Sequence, residues 1–133
     1  MSKYPKWFCA VLWIGIVVNF LVGIPAIFLP NTTLRLFHQR ASGDITWASY
    51  AALLAVVLAI VYIAPARDPY RYKHTAKMAV VSHGLEAFFF LLFYPGEYPC
   101  FGWVALIYCI ILWILLYLTL RQPVPEWTPA AQA

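Results

Sequence analysis

The sequence predicts an all-α integral membrane protein: a four-helix transmembrane bundle with a short interfacial helix between the first two spans. Three observations predict it. The 133 residues are 64% hydrophobic and 11% charged, whereas a water-solvated domain carries about 25% charge. Apolar runs of about 20 residues, enough to cross a hydrocarbon core of ~30 Å, recur along the whole chain. The charges gather between those runs, above all in the block from Ala64 to Lys77, where Arg67, Arg71, Lys73 and Lys77 stand against Asp68 alone. The length suits one domain, residues 1–133.

Met1 to Lys6 is a short polar start, and the apolar run Trp7–Leu29 follows. That run is longer than the roughly 7–15 residues of a signal-peptide core, and no small-x-small cleavage site follows it. It reads as a retained first span. Gly15 and Gly23 permit close helix contact, Pro25 bends the last turns and Pro30 ends them. Asn31 then caps a short interfacial helix reaching to Arg40. Its Leu34, Phe37 and Ala41 recur at helical spacing, with Arg35 and Gln39 on the other side.

Ser42-Gly43-Asp44 is a turn whose Asp44 caps the second span, Trp47–Ala64. Its small residues Ala48, Ala51, Ala52, Ala55 and Ala59 favour close packing on a neighbour. Pro65 and Pro69 break that helix. The third span is Ala76–Tyr94, the turn Pro95–Pro99 follows, and the fourth span is Phe101–Leu120. The tail 121–133 holds Pro123, Pro125 and Pro129 and reads as extended.

Four spans put both termini beside the central basic block. Lys3, Lys6, Arg67, Arg71, Lys73, Lys77 and Arg121 fall on that side, and only Arg35 and Arg40 on the other. The positive-inside rule then predicts a multi-pass membrane protein with both termini cytoplasmic, and the bacterial inner membrane is the expected location. The same placement at helix ends argues against nucleic-acid binding. Arg67, Arg71, Lys73 and Lys77 are expected to dock anionic headgroups or a cytoplasmic partner.

Glu86 is the one charged residue deep within a span, and an ionisable group there raises a functional hypothesis by default. His83, three residues earlier, shares its helix face, and Ser82 borders that face. Counted by depth, Asn19 on the first span and Tyr108 on the fourth fall near the same level. Asn19, His83, Glu86 and Tyr108 are therefore the candidate ligand-binding set, for a quinone or a lipid. The alternative is a buried hydrogen-bond network that fixes helix packing or meets another subunit. His74 lies at the start of the same helix as His83 and His38 near the opposite surface, which argues against a bis-histidine haem within the chain. Cys9, Cys100 and Cys109 make neither a CxxC pair nor a zinc spacing. No G-x-S-x-G, H-E-x-x-H or P-loop is present. No catalytic residue, metal site or resident cofactor is predicted.

The run Gly23-Ile24-Pro25-Ala26-Ile27-Phe28-Leu29-Pro30, a short outer helix, and a second span ending Tyr62-Ile63-Ala64-Pro65-Ala66-Arg67-Asp68-Pro69 resemble small four-helix bacterial membrane proteins of the DoxX-like kind. The resemblance lies in topology and prolines over spans one to three. It implies a link to quinone-coupled oxidation or to a redox partner, and carries over no catalytic residue. Four-helix glutathione enzymes of the MAPEG kind need arginines between helices, and here every arginine sits at a span end or in a loop.

Phe88, Phe89, Phe90 and Phe93 point around nearly the whole third span, and Trp103, Tyr108, Trp113 and Tyr117 crowd the fourth. A bundle this small cannot bury them all, so the excess meets lipid or other protein. The expected function is that of a non-catalytic accessory subunit, packed on larger integral subunits and lipids of a respiratory, photosynthetic or oxidative complex. The alternatives are a redox-associated protein binding a quinone or lipid near Glu86 and His83, and a small transporter.

Overall fold

The computed structural model describes residues 3–93 and 99–123, with 99 and 100 described by backbone alone. Its helices are α1 (Tyr4–Phe28), α2 (Pro30–Leu36), α3 (Ile45–Arg67), α4 (Lys73–Phe93) and α5 (Pro99–Leu120). No strand occurs among the described residues. The helices α1, α3, α4 and α5 are each long and apolar enough to cross a membrane. The fold is thus an all-α four-helix bundle with a short helix between its first two spans. The expected turn at Pro95 and the tail beyond Pro123 lie outside the described residues.

Prolines set several boundaries, though not all those expected. Leu29 leaves the helical region (φ −133°, ψ 60°), as a residue before proline tends to. Pro30 then opens α2, where its missing N–H costs nothing. Pro65 does not break α3, contrary to expectation. It lies in the last turn, is buried, and the helix continues to Arg67 with Asp68 N–H donating to the Ala64 carbonyl at 3.1 Å. Membrane helices tolerate such a proline because neighbouring groups satisfy the backbone. Pro69 does end it: Asp68, before it, is extended (φ −146°, ψ 93°). Asp68 Oδ1 accepts the N–H groups of Tyr70 (3.1 Å) and Arg71 (2.9 Å), so the chain re-enters a helix at Lys73, earlier than the expected Ala76.

The segment after α1 also differs. Asn31 is not an N-cap; Leu29 holds that place without a side-chain bond. The Asn31 amide instead clamps Ser42, donating to its carbonyl (3.3 Å) and accepting its N–H (2.8 Å). The helix stops at Leu36 rather than Arg40, because His38 adopts the left-handed conformation (φ 54°) and turns the chain. Gln39, expected on the polar side, is buried, and its amide donates to the Phe37 carbonyl at 2.8 Å. Asp44 caps α3 as expected, its Oδ1 accepting the Trp47 N–H at 3.0 Å.

The spans form two hairpins, α1 on α3 and α4 on α5, and contacts α1–α5 and α3–α4 close the ring. The buried core joins Phe8, Leu12 and Ile16 of α1 to Ala59, Tyr62 and Ala66 of α3. From the other hairpin come Ala76, Ala79 and Val80 of α4 and Leu112 and Leu116 of α5. All lie in the half of the bundle that carries Lys3, the 68–72 turn and Pro123. In the half that carries α2, nothing between Ile45 and Leu58 is buried. There each hairpin packs mainly on itself: Gly23 seats Val56 and the Ala52 carbonyl, and Gly102 seats Phe90 and Leu91. A Phe37–Phe101 ring contact (6.2 Å) bridges the two hairpins at that end. The bundle is therefore tight at its terminal end and loose at its α2 end.

Candidate functional site

Polar side chains meet where the tight core ends, near mid-span. His83 of α4 is buried and its ring lies between two tyrosines. Tyr108 of α5 stands edge-on at 4.8 Å and 89°, and Tyr62 of α3 at 5.8 Å and 54°. His83 Nδ1 lies 3.2 Å from Glu86 Oε2, one turn nearer the α2 end.

Each tyrosine ties two helices together. The Tyr108 hydroxyl donates to the Val11 carbonyl of α1 at 2.9 Å. It reaches that carbonyl because Gly15, one turn on, presents no side chain to the phenol. Tyr62 is hydrogen-bonded to Ser82 of α4. Ser82 Oγ donates to the Ala79 carbonyl at 2.9 Å, which leaves Tyr62 as the donor between them. Cys109 Sγ donates to the Val80 carbonyl at 3.4 Å, so α5 is also pinned to α4. In an apolar solvent such bonds and close packing hold helices together, since lipid supplies no hydrophobic drive between them.

The expected set is only partly brought together. His83 touches both Glu86 and Tyr108. Asn19 falls on the buried stripe of α1, in line with Leu12, Ile16 and Gly23, and is half-buried. It makes no side-chain hydrogen bond among the described residues and does not join the cluster. Sequence placed Glu86 deep within a span without fixing which way it faces. It lies on the flank of α4 with 49% of its side chain exposed. Tyr62 was not singled out by sequence, whereas Gly15 was expected to permit close helix contact and does so against Tyr108; both complete the cluster. A tyrosine five residues before the end of α3, following the apolar run 51–61, was the available signal for the first.

Such a cluster can hold a neutral hydrogen-bonding group: imidazole and carboxyl donate or accept, and two aromatic rings offer flat walls. No group of three or more His, Cys, Asp or Glu among the described residues is placed to hold a metal ion. At the terminal end Arg67, Arg71, Lys73 and Lys77 are all exposed. The Arg71 guanidinium lies 5.6 Å from the Tyr72 ring. Arg121 covers the Tyr117 ring at 4.4 Å, and Tyr117 in turn stacks on Trp113 at 6.0 Å. The Tyr70 phenol, in the turn, is pushed up first by desolvation and then by the nearby Cys9 thiol.

These features define a multi-pass helical membrane protein with a polar cluster at the junction of its two hairpins. No protein-family model, curated protein or solved structure matches the chain.

Proposed function

We propose that this protein is a non-catalytic accessory subunit of a larger bacterial inner-membrane complex, respiratory, photosynthetic or oxidative, and that it packs on its partner through the α4 flank at Glu86. One observation carries the reading. A carboxyl group near mid-span has half its surface directed out of the bundle. Exposed to hydrocarbon, an ionisable group costs about 2.5–3.5 kcal/mol or more. A neighbouring subunit with a polar group at that depth removes the cost. His83, buried behind Glu86, fixes where the carboxyl stands. The charge asymmetry favours both termini in the cytoplasm.

A photo-crosslinking amino acid at Phe93, about two turns beyond Glu86 on the same flank, tests this in native membranes. It should give a discrete adduct with another membrane protein. The same group at Ile107, exposed on α5, should give none of that adduct. Equal capture at both positions would refute docking through this flank.

The loose α2 half favours a second reading. The Glu86 carboxyl, beside that half, is reachable from the bilayer, and the carbonyl of a quinone or the hydroxyl of a lipid would accept or donate a bond at that depth. The DoxX-like resemblance agrees with this reading. Extraction of the purified protein would then yield a quinone or lipid in fixed ratio, and Glu86→Gln would lose it.

A further inference from the structure

We propose that the terminal end of the bundle holds the phosphate ester of an anionic phospholipid between Lys6 and Arg67. A recess opens there between the first turn of α1, the end of α3 and the end of α5. Lys6, Cys9, Arg67, Asp68, Tyr70 and Gln122 line it. Its two cations come from helices far apart in sequence, and neither has an ion pair among the described residues. Asp68, the one carboxylate in the wall, spends Oδ1 on the N–H groups of Tyr70 and Arg71. The recess is therefore cationic, and it lies at headgroup depth, where spans end and the chain turns.

A second, adjoining groove favours a lipid over a soluble phosphate. Lys3, Lys6, Trp7 and Ala10 line it, so the two hollows share Lys6. Trp7 is exposed on the flank of a spanning helix, and tryptophan suits the membrane interface. A phosphate at Lys6 thus has an apolar path for its acyl chain down Trp7 and Ala10. Of the four basic residues that sequence assigned to headgroup docking, Arg67 alone lines this recess; Arg71, Lys73 and Lys77 stand outside it.

Native mass spectrometry of the full-length protein in mild detergent, titrated with phosphatidylglycerol or phosphatidylcholine, tests the site. One phosphatidylglycerol should bind in preference to phosphatidylcholine. The variant Lys6→Gln/Arg67→Gln should weaken that binding about thirtyfold, the loss expected for two basic side chains. Arg71→Gln/Lys73→Gln removes the same charge from the neighbouring turn, outside the recess, and should weaken binding far less than the first variant. Equal loss in both variants would show a diffuse surface charge and overturn the proposal, as would unchanged binding in the first. A thermal melt of each variant separates loss of the site from loss of fold. Inorganic phosphate at millimolar concentration should not displace the lipid. Displacement would assign the recess to soluble phosphate esters and overturn the lipid source.

Discussion

Gly15 and Tyr108 fit together across α1 and α5: a methyl group on Gly15 would overlap the phenol oxygen and stand 2.6 Å from Cζ. The phenol cannot move aside without giving up its bond to the Val11 carbonyl. The α1–α5 contact, and with it the seat of His83 against Tyr108, depends on this missing side chain.

Gly15→Ala should therefore destabilise the fold by about 1–3 kcal/mol, the usual cost of overpacking. Tyr108→Phe removes the nearest atom and should itself cost only about 0.6 kcal/mol, the mean for a hydrogen bond within a membrane protein. In the double variant part of the Gly15→Ala cost should return. Unfolding monitored by tryptophan fluorescence in detergent gives all three values. A double variant no better than Gly15→Ala alone would mean the clash lies elsewhere.

Tyr62→Phe and Ser82→Ala each break the hydrogen bond that joins α3 to α4. The α3–α4 contact is the sparsest of the ring, so the effect should fall on hairpin docking. Each variant should cost about 0.6–1.7 kcal/mol, and the pair together little more than either alone. Additive losses would show that the two side chains act separately.

Asp44→Ala removes the cap of α3 and should cost about 1 kcal/mol. Asn31→Ala breaks both bonds to Ser42. It should raise amide exchange between residues 37 and 44 while leaving the core of the terminal half protected. Uniform exchange across the whole chain would contradict the separation of a tight half from a loose one.

Glu86→Gln should leave the melting temperature close to that of the wild type, since half of the side chain lies outside the bundle. The same change should weaken the partner crosslink from Phe93. A large stability loss with the crosslink intact would make the residue a packing element and nothing more.

Sequence made the membrane class, the spans and the Asp44 cap plain, because hydropathy and capping are local properties. It misplaced Pro65 as a helix breaker, since whether a membrane helix tolerates proline depends on what surrounds the backbone. It gave Asn31 a cap role that only the distant Ser42 could overrule. The His83–Glu86 pair was legible from spacing within one helix. The direction of Glu86 was not, because a carboxyl shares its helix face with a buried histidine and still points outward. Tyr62 escaped notice because its partner, Ser82, lies on another helix.

Docking through Glu86 is tested most directly by purification from native membranes. Wild-type protein and Glu86→Leu, each tagged, would be extracted in mild detergent, and co-eluting proteins quantified by mass spectrometry. A larger integral membrane subunit should elute in fixed ratio with wild type and fall away with the variant. Wild-type protein that elutes alone or as a homo-oligomer, or a partner retained equally by both, would contradict it.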